Sequence, residues 1–310
     1  MIDLGSLVPS KHQAAGHDGC LISEDSSSVF AKLTNQQEID FYLESQSIND
    51  DSPIGSVLSD WMPIFYGTLT QGTREKPSNE TIVMKTDEVV EGESRNDDDK
   101  QYIVLQNLYY TFSKPNILDI KLGSKLTDNT VTPEKEERLR QVSRSTTSGS
   151  HGFRICGMKI YDNNIKFPSK LESLSDTFTL TDSYYQFDKF FGRSLNESNI
   201  VEAIDLYFNV GNLSYQRKLL TRFLQRLQLI YNTLIDSEVR IISGSLLFIY
   251  EADLSKWSHV NDVNYEELDP LVSKNEANDD DSDDDENDEN GPLSSLNLID
   301  FAHAKYELKI

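Results

Sequence analysis

The amino-acid sequence predicts an α+β protein with two lobes and a cleft between them. Short strand-like runs dominate the sequence up to about residue 110, whereas the part after residue 130 contains several helical patterns and further strands. The length of 310 residues is about twice that of a ~150-residue domain, which agrees with two lobes. A cleft between a sheet lobe and a mixed lobe is a favoured place for a ligand.

The first lobe is predicted to contain a small antiparallel sheet and one helix. Its strands are short, rich in β-branched or aromatic residues, and separated by polar turns. They cover residues 29–33, 64–69, 81–85 and 102–105. The helix covers residues 36–44.

The second lobe is predicted to be richer in helix. Residues 133–145 are mostly charged or amide side chains, which indicates an exposed helix that presents polar groups. Residues 196–208 and 214–234 carry apolar side chains at helical spacing, which indicates core helices. Strand-like runs follow at residues 239–250 and 296–301.

Three polar stretches, residues 45–59, 88–100 and 274–291, are predicted to be solvated loops or disordered inserts. Residues 279–289 carry nine acidic side chains, and without them the net charge of −23 becomes −14. This acidity argues against direct nucleic-acid binding and against attraction to anionic membranes. A polyanionic ligand would therefore need a local basic patch.

Cysteine content and hydropathy indicate a protein of a reducing compartment. Cys20 and Cys156 are too few for a disulfide framework, and no zinc-ligand spacing occurs. We expect a monomer located in the nucleus and cytoplasm. The longest apolar run, residues 246–250, is far shorter than the ~18 residues of a membrane span, and residues 1–5 show no secretory leader.

The most informative string is the predicted strand Lys114 to Gly123. Strand alternation places Asp119 and Lys121 on one face, two residues apart. In phosphoryl transfer a carboxylate can orient or deprotonate the attacking hydroxyl, while a lysine neutralises phosphate charge. The same spacing also suits a surface salt bridge on an edge strand, so both interpretations stay open at this point.

Two other strings place polar residues beside apolar strands. Asp300, in Ile-Asp-Phe-Ala-His, is a candidate Mg²⁺ ligand or the cap of a turn, and His303 alone carries no function. Lys32, with Glu38 on the following helix, has the layout of a phosphate-contacting lysine steadied by a carboxylate. Lys85 competes for that role, and a lysine at a strand end is commonly just solvated.

Basic residues are concentrated in and around the predicted exposed helix. Arginines and lysines spaced by three and four residues line one side of a helix, where they can bind several phosphates together. A charged solvent face paired with the neighbouring glutamates explains the same pattern. The residues are Lys121, Lys125, Lys135, Arg138, Arg140, Arg144, Arg154 and Lys159.

Taken together and in this order, these strings resemble the inositol polyphosphate kinase family, most closely its multikinase branch of the fungal type. The main carrier is a P-x-x-x-D-x-K-x-G pattern formed by Pro115, Asp119, Lys121 and Gly123. Five further blocks support it across nearly the whole chain, at residues 15–19, 152–158, 191–194, 245–251 and 299–303.

The resemblance implies a two-lobed fold distantly like that of protein kinases. Residues 1–107 would form the N-lobe, and residues 108–310 the C-lobe, with ATP between them. The inositol phosphate would lie on the C-lobe, against a helical segment at residues 130–150.

The resemblance also implies a role for each matched residue. Lys32 would contact ATP phosphates, and Gln106, Asn107 and Leu108 would form the hinge that holds adenine through backbone groups. Asp300 and the Ser245 hydroxyl would hold Mg²⁺. Asp119 would orient the inositol hydroxyl. The groups that would bind substrate phosphates are Lys121, Gln141, Arg144 and His303, with Arg138 and Arg140 as helpers.

The sequence departs from the family pattern at two places. The hinge carries Gln106 where the family usually has glutamate, which backbone recognition of adenine would tolerate. Family members usually continue beyond the Asp-Phe-Ala-His segment into a final helix, whereas the sequence ends at Ile310. We therefore expect a looser strand next to Asp300.

The implied activity is ATP- and Mg²⁺-dependent phosphorylation of inositol 1,4,5-trisphosphate to tetrakis- and pentakisphosphate. One alternative is an inositol hexakisphosphate kinase. The other is a non-catalytic nuclear interaction protein with an inactive kinase fold, since the acidic tract at residues 279–289 could engage transcription regulators.

Overall fold

The residues that the structure describes fold around two six-stranded sheets and one two-stranded sheet. This computed structural model describes residues 7–9, 20–23, 28–48, 56–71, 83–84, 101–128, 131–259 and 293–307. Strands that precede residue 107 build the first sheet, and strands that follow it build the other two. The lobe boundary at residue 107 stays a prediction.

The first sheet has the strand order β1-β2-β3-β6-β4-β5, and its strands are antiparallel except for the parallel pair β4–β5. The strands are Leu7–Pro9, Leu21–Ser23, Val29–Thr34, Phe65–Gln71, Val83–Met84 and Gln101–Gln106, in chain order. Helix α1, Gln36–Ser47, follows β3 directly. It begins at Asn35, whose side chain accepts a hydrogen bond from the backbone N–H of Glu38.

The second sheet is antiparallel throughout, with the order β13-β12-β7-β8-β10-β9. In chain order its strands are β7 Pro115–Leu122, β8 Phe153–Tyr161, β9 Phe178–Thr181, β10 Tyr184–Phe187, β12 Ser245–Glu251 and β13 Ser294–Ile299. A bulge in the β7–β8 pairing falls at Asp119 and Ile120, beside Cys156. Bulges redirect side chains, and this one lies where the predicted catalytic pair projects.

Helices cover the second sheet. Tyr207 of α5, Ile200–Phe208, donates from its hydroxyl to the carbonyls of Phe248 and Asn116, which fixes α5 on β12 and β7. On α6, Thr233 shares a hydrogen bond with the buried Ser56. The helices are α2 Pro133–Arg144, α3 Thr147–His151, α4 Lys189–Ser194, α5 Ile200–Phe208, α6 Leu213–Asp236 and α7 Leu254–His259, with 3-10 helices at Leu58–Trp61 and Ser169–Thr177. No helix in the described ranges is both long and apolar enough to cross a membrane.

The two-stranded sheet packs against helix α1. Strand β11, Val239–Ile241, pairs with β14, Ala304–Tyr306. Phe41 of α1 stacks on Phe301 at 4.9 Å and on Tyr306 at 5.1 Å, measured between ring centroids. The first helix is thus packed on the segment that carries Asp300.

Several predicted elements differ from the observed ones. Residues 239–250 form two strands, because a turn with Ser243 in the left-handed region separates β11 from β12. Residues 45–59 were expected as a solvated loop, and this is wrong where the structure describes them. Ser45–Ser47 end α1, and Leu58 is buried in the core. Residues 88–100 and the insert 274–291 lie outside the described residues.

Candidate active site

A cavity of about 570 Å³ lies between the first and second sheets. Lys32 of β3 and Leu105 of β6 line it on one side, and Asp119 of β7 and Leu247 of β12 line it on the other. Of the residues predicted to act in the site, this cavity brings together Lys32, Gln106, Asn107, Leu108, Asp119, Lys121 and Asp300.

Lys32 bridges two carboxylates in the lining of the cavity. Its Nζ lies 2.9 Å from Glu38 Oε1 and 3.0 Å from Asp300 Oδ1. Burial alone would lower the pKa of Lys32, but the two carboxylates outweigh burial and raise this pKa above its ordinary value. The ammonium therefore stays charged, as the sequence layout of Lys32 and Glu38 predicts.

The segment that carries Asp300 is tied to α1 by three hydrogen bonds. Glu38, only 1 % exposed, accepts from the backbone N–H of Phe301 at 3.0 Å. The side-chain amides of Asn35 and Gln37 donate to the carbonyls of Ala302 and Ala304, each at 3.0 Å. Asp300 itself has φ +67°, a left-handed conformation that is unusual outside glycine. Such strain is typical of residues that a functional site holds in place.

Asp119 and Lys121 project into the cavity from the same face of β7, as predicted. Asp119 is 7 % exposed, and its Oδ1 makes no hydrogen bond with any residue the structure describes. Burial and the charge of Asp300 raise the pKa of Asp119 to about 7, despite the opposing effect of Lys121. Lys121 donates from Nζ to the Ser243 carbonyl at 2.7 Å and lies 3.9 Å from Asp300 Oδ2.

The oxygens beside Asp300 suit a hard divalent cation. Ser245 lies opposite Lys121 and Ile299 in the sheet register, is completely buried, and has its hydroxyl near enough to the Asp119 carboxylate to oppose the rise in the pKa of Asp119. No cluster of three or more histidine, cysteine, aspartate or glutamate side chains is present in the described ranges. Mg²⁺ commonly uses one or two carboxylates and completes its shell with water and phosphate oxygens, so this donor set fits it.

The predicted hinge lies at the start of the segment that connects β6 to β7, and hydrogen bonds hold this segment in place. The Asn107 backbone N–H donates to the carbonyl of Ser28, and the Asn107 side-chain oxygen accepts from the backbone N–H of Tyr109. At the far end the buried carboxylate of Glu251 accepts from the N–H groups of Ser113 and Lys114. The backbone that would face adenine is therefore fixed at both ends.

The predicted phosphate-binding residues of α2 lie on its exposed surface, outside the cavity lining. Arg140 forms an ion pair with Glu137, which also accepts from the side chain of Gln141 at 3.3 Å. Arg138 and Arg144 are exposed on the same helix. His303 lies outside the lining as well, with Nδ1 2.6 Å from Asp128 Oδ2.

Comparison with known proteins decides which family has this site. The sequence model of the inositol polyphosphate kinase family matches residues 102–309, about two thirds of the chain. The inositol polyphosphate multikinase of Saccharomyces cerevisiae is 44% identical over an alignment 329 positions long, which covers 95% of this chain and 90% of that protein. The chain belongs to the inositol polyphosphate kinase family.

Two further comparisons agree with membership in the inositol polyphosphate kinase family. The inositol polyphosphate multikinase of Schizosaccharomyces pombe is 31% identical, with 77% of each chain covered. The crystal structure of the S. cerevisiae multikinase Ipk2 in complex with ADP and Mn²⁺ matches with a TM-score of 0.65, 40% identity and 90% of each chain covered. The α+β kinase-like fold predicted from the sequence is confirmed, and the chain is an inositol polyphosphate kinase.

Two cations that line the cavity were given no role from the sequence, and Arg154 of the predicted basic cluster lines it as well. Lys189 and Arg193 stand one helical turn apart on α4, with Phe190 between them. Neither forms an ion pair with a carboxylate of the described chain. The sequence signal was a lysine and an arginine four residues apart beside aromatic residues. Residues Phe191–Ser194 contribute to the family resemblance, but nothing local in the sequence shows that this short helix reaches the cavity.

Proposed function

We propose that this kinase uses ATP and Mg²⁺ to phosphorylate free hydroxyls of inositol 1,4,5-trisphosphate, giving the tetrakisphosphate and then the pentakisphosphate. One observation carries the proposal: Lys32, Asp119, Lys121 and Asp300 meet in one cavity, although they come from separate parts of the chain. The multikinases of two yeasts among the relatives support the substrate class.

Each group in the cavity has a chemical task in this reaction. The hydroxyl oxygen of the inositol ring attacks the terminal phosphorus of ATP, the bond to ADP breaks, and the hydroxyl proton leaves. Asp119 orients that hydroxyl and accepts its proton, for which a pKa of about 7 is well placed. Lys32 and Lys121 neutralise charge on the transferring phosphoryl group.

Asp300 and the Ser245 hydroxyl would hold Mg²⁺, with Asp119 close by. The bound cation supplies charge neutralisation at the ATP phosphates. The Ipk2 crystal structure contains ADP and Mn²⁺, which supports a nucleotide and a divalent cation for this chain too.

The substrate phosphates require cations beyond the reacting centre. The proposed surface that binds these phosphates consists of Lys121 from the cavity, His303, and the exposed side of α2. The α2 residues are Arg138, Arg140, Gln141 and Arg144. Arg140 and Gln141 are engaged with Glu137 here, so substrate phosphates would compete with that carboxylate. A local surface of this kind is needed because the net charge of the chain is −23.

A product assay tests this proposal. Purified chain is incubated with Mg²⁺-ATP and inositol 1,4,5-trisphosphate, and the products are separated by charge. Wild type and an Asp176→Ala control, which alters an exposed residue, should make tetrakis- and pentakisphosphate. Asp119→Ala and Asp300→Ala should lose at least about a hundred-fold in rate. An Asp119→Ala chain as fast as wild type would refute the catalytic role of Asp119.

The same assay distinguishes the multikinase proposal from its close alternative, an inositol hexakisphosphate kinase. With inositol hexakisphosphate as acceptor, a hexakisphosphate kinase would make a more highly charged pyrophosphate product. A folded chain that makes only this product, and none from the trisphosphate, would replace the multikinase proposal.

The acidic tract supports a second, non-catalytic role in the nucleus and cytoplasm. Residues 279–289 offer nine carboxylates, which suit a basic surface on a transcription regulator. The test compares the proteins captured by the full chain and by a chain without residues 279–289. An unchanged set of captured proteins would remove the basis for this role.

A further inference from the structure

His303 and Asp128 form a close pair outside the cavity lining, and His303 follows the cavity residue Asp300 by three positions. The distance from His303 Nδ1 to Asp128 Oδ2 is 2.6 Å, and the two side chains are only 29 % and 15 % exposed. This is shorter and less solvated than an ordinary surface ion pair, which contributes little. The pair therefore fixes the orientation of the imidazole ring.

The pair connects two segments that serve different parts of the site. His303 follows Asp300 by three residues, and its carbonyl accepts from Ile242, next to the Ser243 carbonyl that takes the Lys121 ammonium. Asp128 lies between β7 and α2, in a segment that Ser143 of α2 holds by donating to the Ser124 carbonyl at 2.6 Å. Asp128 thus links the segment that carries Asp300 to the segment that precedes helix α2.

We propose that Asp128 is a positioning residue that holds His303 ready to donate from Nε2 to a phosphate of the inositol substrate. The inference rests on the proposed function, because His303 must face the substrate. An ionised carboxylate only accepts hydrogen bonds, so Asp128 keeps the imidazole hydrogen on Nδ1. A hydrogen bond donated from Nε2 needs a second ring hydrogen, which the phosphate monoester or the solvent supplies, so that the ring donates to Asp128 and to the phosphate together.

A negative charge next to a site for a polyanion needs a reason. Without His303, Asp128 would repel the substrate phosphates, and binding would improve on its removal. With His303 in place, the carboxylate strengthens a charged donor. The two possibilities predict opposite signs for the effect of removing Asp128, which makes the role testable.

A double-mutant cycle with Asp128→Ala and His303→Ala isolates this coupling. Each single variant should raise KM for inositol trisphosphate about ten-fold, leave KM for ATP within two-fold, and change kcat little. The double variant should resemble His303→Ala alone. Asp176→Ala is the control and should match wild type. Asp128→Asn should fall between wild type and Asp128→Ala, because it keeps the hydrogen bond but not the charge.

Every outcome of the cycle has a definite meaning. If Asp128→Ala acts as strongly in the His303→Ala background as alone, or lowers KM, Asp128 does not work through His303 and the proposal is wrong. If His303→Ala leaves KM unchanged, the phosphate-binding role of His303 fails together with this proposal. If wild type itself makes no product from the trisphosphate, the proposed function fails instead.

A spectroscopic measurement tests the pair without relying on activity. Nitrogen-15 NMR of histidine-labelled protein distinguishes the Nδ1–H and Nε2–H tautomers, and His303→Gln identifies the resonances of His303. Wild type should show the Nδ1–H form, and Asp128→Ala should shift the population toward Nε2–H. Identical spectra for the two proteins would overturn the positioning role even if KM changed.

Discussion

The buried carboxylate of Asp119 shows how a single residue is kept for chemistry at a cost to stability. Its Oδ1 has no hydrogen-bond partner in the described chain, and its pKa of about 7 means that ionisation is unfavourable in the folded state. In the unfolded chain an aspartate ionises near its ordinary pKa of about 4. The folded state therefore keeps the proton over a pH range in which the unfolded state has lost it.

This difference gives a signed prediction for Asp119→Asn. The stabilising contribution of protonated Asp119 is complete below about pH 4 and is lost as pH rises through about 7. Asparagine does not ionise, so the variant should be more stable than wild type at pH 8, by about 2 to 4 kcal/mol, and the gain should shrink toward pH 4. Urea unfolding at both values measures it. An equal gain at both pH values would contradict the raised pKa of Asp119.

A second residue-scale prediction concerns the ion pair of Lys32 and Glu38. Lys32→Met would leave Glu38, 1 % exposed, as a buried charge that retains only neutral donors. We expect a loss of about 3 kcal/mol of unfolding free energy, because removing one partner of a buried pair leaves the other as a desolvated charge without compensation. The double variant Lys32→Met/Glu38→Gln should recover part of it. Calorimetry on both variants is the check, and a double variant less stable than Lys32→Met would be inconsistent with this account.

At the scale of elements, α4 is held close to β8 by a glycine. A Cβ on Gly192 would stand 1.8 Å from the carbonyl oxygen of Ile155 and 2.7 Å from its carbon. Both are backbone atoms, so α4 would have to move away from the sheet. Gly192→Ala should therefore cost about 3 kcal/mol or more, whereas Ser194→Ala on the exposed side of α4 should be near neutral.

The measurement is the thermal midpoint of the two variants, followed by steady-state kinetics. Since α4 places Lys189 and Arg193 in the cavity, Gly192→Ala should also raise KM for the inositol substrate in the fraction that folds. Wild-type stability and kinetics in Gly192→Ala would show that α4 tolerates a larger separation from β8.

Elements with strong local signals were predictable from the sequence. Helix α2 begins at the predicted residue, because Thr132 caps it and Pro133 occupies its first position, and it ends within one residue of the prediction. The Lys32–Asp300 contact spans 268 residues of sequence, so no local pattern shows it and only the family resemblance placed both in one site. The turn at Ser243 was missed for another reason: its positive φ occurs at a serine, a residue type that does not signal a left-handed conformation.

At the scale of the whole molecule, the net negative charge of the chain repels a polyphosphate substrate. The chain carries −23, and residues 279–289 contribute nine of its acidic side chains. A polyphosphate approaching the cavity meets this repulsion over a distance set by the Debye length, about 10 Å at 0.1 M salt. Lys32, Lys121, Lys189 and Arg193 provide attraction only close to the site.

Neutralising the tract should therefore help catalysis at low salt. With the nine acidic residues of 279–289 replaced by asparagine and glutamine, chain length is kept and the net charge becomes −14. We expect kcat/KM for inositol trisphosphate to rise about two- to five-fold at 20 mM salt and to converge with wild type near 0.5 M, because screening removes only the long-range term. A chain that lacks residues 279–289 should behave like the neutralised one. If the two differ, length and not charge governs the effect, and a gain that persists at 0.5 M salt would mean that the tract acts by direct contact.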